Sequence, residues 1–210
     1  MLKVLKPKFL ITGLSIALVA TVLVLIPVFA KQGGVDTARA KSIPYAISQG
    51  SAISFETFSE MDSQTDIVVK GIKIGVEEVI MKKDVDGLAI DYRTLSNFEL
   101  SDVFKNNTDQ KLSSGETIIV QENAAVDSSR VYSTLGYQLM NENEEYLLFL
   151  RESLTDPGVY IIRGVVYGKV PTTNMGMLSK DATNAQFQGD EDTREQLEVI
   201  FEVAREAYLN

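Results

Sequence analysis

The stretch LAIDYRTLSNFELS, residues 88–101, decides the kind of fold this chain adopts. Leu88, Ile90, Tyr92, Thr94, Phe98 and Leu100, with Phe104 beyond, fall on one side, while Asp91, Arg93, Asn97, Glu99 and Ser101 fall on the other. A period of two marks a half-buried strand, here with a break allowed near Leu95 and Ser96. Upstream, Ile67, Val68 and Val69 are apolar on both faces, and then Ile72, Ile74 and Val76 alternate with Lys73, Gly75 and Glu77. A strand that starts two-sided and becomes one-sided, with Gly71 at the change, predicts a bent strand shared between two sheets, with Lys73 turned outward. The turn KKDVDG, residues 82–87, joins the two strands.

Further along, the polar stretch from Asn106 to Gly115 reads as a loop and Thr117 to Val120 as a strand. Val131 to Met140 contains another, interrupted at Gly136. Tyr146 to Leu150 is a continuous apolar run, suited to a fully buried strand. Asp156-Pro157-Gly158 is a turn, because proline presets one dihedral and glycine supplies the positive one. Val159 to Ile162 and Val165 to Val170 complete the strands. Two helices flank them. Phe55, Phe58 and Met61 follow Ser54, a candidate N-cap, and predict a short helix to Gln64. A second helix starts at Thr193, with Gln196 in the capping-box position, and its stripe of Leu197, Ile200, Phe201, Ala204, Ala207 and Tyr208 needs an apolar partner, in this chain or in a neighbour.

Upstream of the helices and strands lies a different kind of segment. Lys3, Lys6 and Lys8 precede an uncharged run from Phe9 to Ala30. A spanning helix needs about 20 such residues. Two readings stand. A cleaved export signal fits the positive start, Pro27 and the small-residue ending at Ala30, whereas a permanent anchor fits the length of the apolar run before Pro27. The denser positive cluster stays in the cytoplasm, so the body lies outside under either reading, anchored by residues 9–30 or secreted after cleavage at Ala30. Residues 31–53, with Gly33, Gly34 and Pro44, read as a spacer.

Composition agrees with export. Three of the 20 basic residues and none of the 29 acids lie in the first thirty positions, so the remainder carries 17 against 29 and a net charge of −12. Such a surface repels nucleic acid and favours basic partners. The chain has no cysteine, which points to a bacterial envelope with little disulfide chemistry, and no histidine, which removes the commonest general base and zinc ligand.

The strand segments DIVVKG (66–71), FELSDVFK (98–105), GETIIV (115–120) and EYLLFL (145–150) together resemble the small exported barrels of Gram-positive bacteria. They are similar in pattern to the OB-type barrel of netrin-like and tissue metalloproteinase inhibitor domains. The resemblance spans residues 66–170. It implies a mainly β chain: residues 1–30 as a signal or transmembrane helix, 31–53 as a linker, 54–170 as an OB-like β-barrel, and 171–210 as a polar segment with an amphipathic helix. Those inhibitors present an N-terminal cysteine to a catalytic zinc, which a chain without cysteine cannot do, so no functional residue carries over. OB barrels bind through the face of their second and third strands, which directs attention to Arg93, Asn97 and Glu99.

No catalytic, cofactor or metal site is assigned. Asp84 and Asp86 before Gly87 resemble the start of a calcium loop, but the positions where its later ligands belong fall in a strand, and a hairpin turn accounts for them. Glu142, Glu144 and Glu145 read as a charged turn rather than a glycosidase pair, and the chain has no tryptophan to stack a sugar. A sortase needs cysteine and histidine, so composition excludes it, while a Ser/Lys signal peptidase arrangement survives composition but shows no matching motif. The expectation is a noncatalytic envelope module with a protein or cell-wall partner. Its rival is a membrane-tethered hydrolase using Ser/Lys or paired carboxylates.

Overall fold

The computed structural model describes residues 44–50, 52–173, 187 and 189–210. The expected signal or anchor, most of the linker and much of the polar segment before the last helix lie outside these residues. Along the chain run β1 (Tyr45–Ser48), α1 (Phe58–Ser63), β2 (Ile67–Lys83), β3 (Ala89–Asn106), β4 (Thr117–Glu122), β5 (Ala124–Val126), β6 (Val131–Thr134), β7 (Glu145–Glu152), β8 (Val159–Ile162), β9 (Lys169–Pro171) and α2 (Glu191–Leu209). The described part is mainly β, and none of its helices is long and apolar enough to cross a membrane.

The strands form two sheets, β1-β6-β5 and β2-β3-β4-β8-β7-β9. In the larger sheet β2 also pairs with β7, Ile67 opposite Leu150 through Ile72 opposite Glu145. The first half of β2 therefore has partners on both edges, and its second half pairs with β3 alone. The strand expected to be shared between two sheets thus belongs to one sheet, and its change of character follows the end of its pairing with β7. β4 and β8 pair in parallel, Ile119 opposite Val159 through Gln121 opposite Ile161. With β9 at an edge and three strands in a separate sheet, the strands together do not make one closed barrel.

Alternation in the deciding stretch holds. Thr94, Ser96, Phe98 and Leu100 are buried, while Arg93, Asn97 and Glu99 are not. β3 is unbroken at Leu95, because it pairs continuously with β2 and β4 there. The outer part of the stretch differs: Leu88 and Ile90 run beyond the body and are exposed. The face assigned to β2 is inverted. Lys73 is fully buried opposite Phe98, and Ile74 is exposed. The register shifts around Lys70, Gly71 and Lys73 explain this, since a slip of one residue exchanges the faces. Gly71 permits the shift, because a Cβ there would lie 2.1 Å from the Glu99 carbonyl oxygen.

Tyr146 to Leu150 on β7 are all fully buried, as a continuous apolar run predicts. One side of β7 faces the sheet interior; on the other, the Phe149 ring packs against Phe58 of α1 at 6.0 Å and Tyr208 of α2 at 5.8 Å. α2 thus finds its partner within the chain, with Leu197, Ile200, Phe201 and Ala204 joining the common core. Its N-cap is Asp190 rather than Thr193, because the Asp190 carboxylate accepts the Thr193 N–H at 2.8 Å and leaves Gln196 free to donate to Phe55 O. α1 likewise begins later than expected, capped by Thr57 instead of Ser54. Residues Val165 to Gly168, expected as strand, form a turn ahead of β9. Conversely, Tyr45 to Ser48, expected as spacer, is a strand held parallel to β6.

Candidate functional site

Two places concentrate unusual features. The first is a buried charged cluster inside the larger sheet. Lys73 from β2, Ser96 from β3 and Glu122 from β4 are each fully buried. Glu122 Oε1 accepts from Lys73 Nζ at 2.8 Å and from Ser96 Oγ at 2.5 Å; Oε2 accepts from Tyr137 OH at 3.1 Å and from the Met140 N–H at 2.5 Å. Lys73 also donates to Met140 O at 3.0 Å. Burial by itself would push the Glu122 carboxyl up, but the Lys73 ammonium and the bonds from Lys73, Ser96 and Met140 outweigh it and hold the group below its ordinary range. Burial and the neighbouring Glu122 charge drive Tyr137 well up, so it stays a phenol and a donor.

Lys169 is the odd member of this cluster. It donates to Gln138 O, and its ammonium stands 4.3 Å from the centre of the Tyr137 ring. No carboxylate pairs with it among the described residues. Burial pushes it down to about 7, with the Glu122 charge pulling the other way. Neither Lys73 nor Lys169 is singled out by the sequence. A lysine inside an alternating apolar stretch reads as a solvated residue, and its carboxylate partner lies 49 positions away.

Ser96 and Lys73 are the arrangement a Ser/Lys hydrolase would need, and they converge on one carboxylate oxygen. Both lack solvent-accessible surface, and Glu122 occupies the hydroxyl and the ammonium together. A nucleophile needs an open approach for its substrate, and the complete burial of these side chains leaves none here.

The second place is a pocket of about 480 Å³ beside the N-terminus of α2. Its walls are Ile47, Ile53, Leu135, Val166, Tyr167 and Phe187, with Gln49, Ser54, Asp190 and Thr193 among its polar lining. Ile47 and Ile53 are substantially exposed. Two backbone positions at the walls are strained: Leu135 has φ 52° and Val165, next to Val166, has φ 62°. For a leucine and a β-branched valine the left-handed region costs on the order of 1–3 kcal/mol each, and such positions gather at binding sites. At Gly164 the chain is packed against Ile53 and Phe55, and a Cβ would meet the Phe55 ring at 2.8 Å. The sequence hides this pocket, because Ile47 and Ile53 look like apolar residues scattered in a spacer.

The residues pointed to by the barrel resemblance share the outer side of β3 and are not among those that line this pocket. Arg93 stands 3.9 Å from both Asp91 and Asp156, Asn97 donates to Glu77 at 3.2 Å, and Glu99 is exposed. Asp84 accepts from the backbone of Asp86 and Leu88, which makes residues 84–88 a hairpin turn. Glu144 is bound to Asn141 and Tyr146. Among the described residues no three acids gather where they would hold a metal.

Compared with known proteins, the chain matches no family model and no curated protein. The resemblance to netrin-like domains therefore rests on strand pattern alone.

Proposed function

We propose that this chain is a noncatalytic binding module of the cell envelope. Its body lies outside the membrane, anchored through residues 9–30 or released after Ala30, and it binds a protein partner through the pocket beside α2. The apolar, uncharged run from Phe9 to Ala30 supports the location. An OB-like barrel is the finer reading of the fold. It is supported by the pairings β2-β3, β3-β4, β4-β8, β8-β7 and β7-β2, which lead back to their start, and by the parallel pair β4-β8. A netrin-like relationship is part of that reading.

The observation that carries the function is the pocket: six apolar wall residues, two strained backbone positions, and a volume within the roughly 300–1,000 Å³ of ligand sites. An apolar side chain from an extended segment of a partner fits these walls. A sugar, with a hydroxyl on most carbons, needs more hydrogen-bonding groups than the rim offers, and Asp190 is already committed to the Thr193 cap. The hydrolase reading has one supporting observation, the meeting of Ser96 and Lys73, and their complete burial weighs against it.

The test uses the full chain in lipid nanodiscs with isoleucine methyl labels and N-acetyl-leucinamide as probe. Saturable shifts at Ile47 and Ile53, lost in Ile53→Glu, are expected. Shifts spread evenly over all isoleucines, or none up to the probe's solubility, would overturn the assignment.

A further inference from the structure

Lys169 ties together two stretches that wall the pocket. Its strand follows directly from Val166 and Tyr167, which line one side. Its ammonium reaches the stretch that begins at Leu135, donating to Gln138 O and lying over the Tyr137 ring. Tyr137 in turn bridges to Phe187, another wall residue. Lys169 thus joins the stretch that carries Val166 and Tyr167 to the stretch that starts at Leu135, without itself lining the pocket. An ammonium has three N–H groups to satisfy, and Gln138 O is its hydrogen-bond acceptor among the described residues. The carboxylate that would neutralise it, Glu122, is already held by Lys73, Ser96, Tyr137 and the Met140 N–H.

We propose that Lys169 is a proton-operated latch on the pocket: uncharged, it lets the two wall stretches close over a dry interior, and charged, it draws water inward, loosens them and weakens binding. This inference rests on the pocket being the binding site. Its physical basis is desolvation. An ammonium in an apolar interior is disfavoured, and a loosened wall returns it to water. The charged and titratable groups that act on it are Lys73 from β2, Glu122 from β4 and Glu144 just before β7, with the Tyr137 ring after β6 beneath its ammonium. Lys73 and Glu122 act on it with opposite signs. Burial brings Lys169 down to about 7, and the chain has no histidine to titrate in the same window.

The experiment follows the full chain in nanodiscs, with isoleucine methyl and lysine ε-carbon labels, from about pH 5.5 to about pH 9. The Ile47 and Ile53 methyls should move with the midpoint of the Lys169 ε-carbon. N-acetyl-leucinamide should bind roughly tenfold more tightly at the alkaline end, because a probe that weakens the hold of Lys169 on its proton by that factor gains the same factor when the proton is gone. Lys169→Met should bind tightly at all pH values, and Lys169→Arg weakly. Binding with the same affinity across the range in the unaltered chain overturns the latch and leaves the pocket standing; absence of probe binding at every pH in the unaltered chain and in Lys169→Met overturns the pocket reading itself.

Discussion

At the scale of single residues, the buried lysines divide by what faces them. Lys73 has a carboxylate at 2.8 Å with every oxygen of that carboxylate engaged, so its charge is matched. Removing one partner leaves the other charged and dry, and Glu122→Gln should cost about 3–5 kcal/mol in urea unfolding. Replacing both with apolar residues of like volume, Lys73→Met with Glu122→Leu, should recover most of that loss. Lys169 has no such match and should set the pH dependence of stability. In the unfolded chain it keeps its proton up to its ordinary 10.5, while in the folded chain it has released it above about 7. Between those values the unfolded state binds more protons, so raising the pH stabilises the fold, by on the order of 4 kcal/mol at most. Tyr137 and Tyr146, both raised by burial, reverse the slope above about pH 10. Unfolding midpoints should therefore climb from pH 7 towards pH 10, and Lys169→Met should flatten the climb while stabilising the protein at pH 7.

At the scale of elements, β2 depends on a close approach that its partner backbone enforces. Gly71→Ala places a Cβ against the Glu99 carbonyl and the Phe98 ring, so it should destabilise by about 3 kcal/mol or more, read from the denaturation midpoint. The two sides of α2 should answer differently to the same truncation. Phe201 lies wholly in the core, and Phe201→Ala should cost about 3–5 kcal/mol. Val199, 64% exposed, should change stability by less than about 0.5 kcal/mol when replaced by alanine. Equal effects at both positions would contradict the way α2 seats on β7.

At the scale of the whole molecule, the proposed location is open to a direct check. A reporter after Asn210 should be accessible from outside the cell, and a cytosolic reporter would remove the envelope reading. Intact mass of the protein from its host distinguishes an anchor from cleavage after Ala30. The net charge of −12 on the remainder favours a basic partner, so association should weaken as salt rises.

Period-two alternation made β3 legible, and the apolar run of β7 made its burial legible, because both patterns depend only on neighbours in sequence. The stripe of α2 was legible for the same reason. The inward turn of Lys73 was not, since bulges around Gly71 set the register and the partner at Glu122 comes from another strand. The pocket was hidden more deeply still. Its walls come from β1, the turn at Leu135, the turn at Val166 and Phe187, and their shared position depends on long-range pairing that local propensity does not encode. Local order follows from the spacing of side chains along the backbone; which charges lose their water, and which apolar residues surround an empty space, follows from the folding of distant strands against one another.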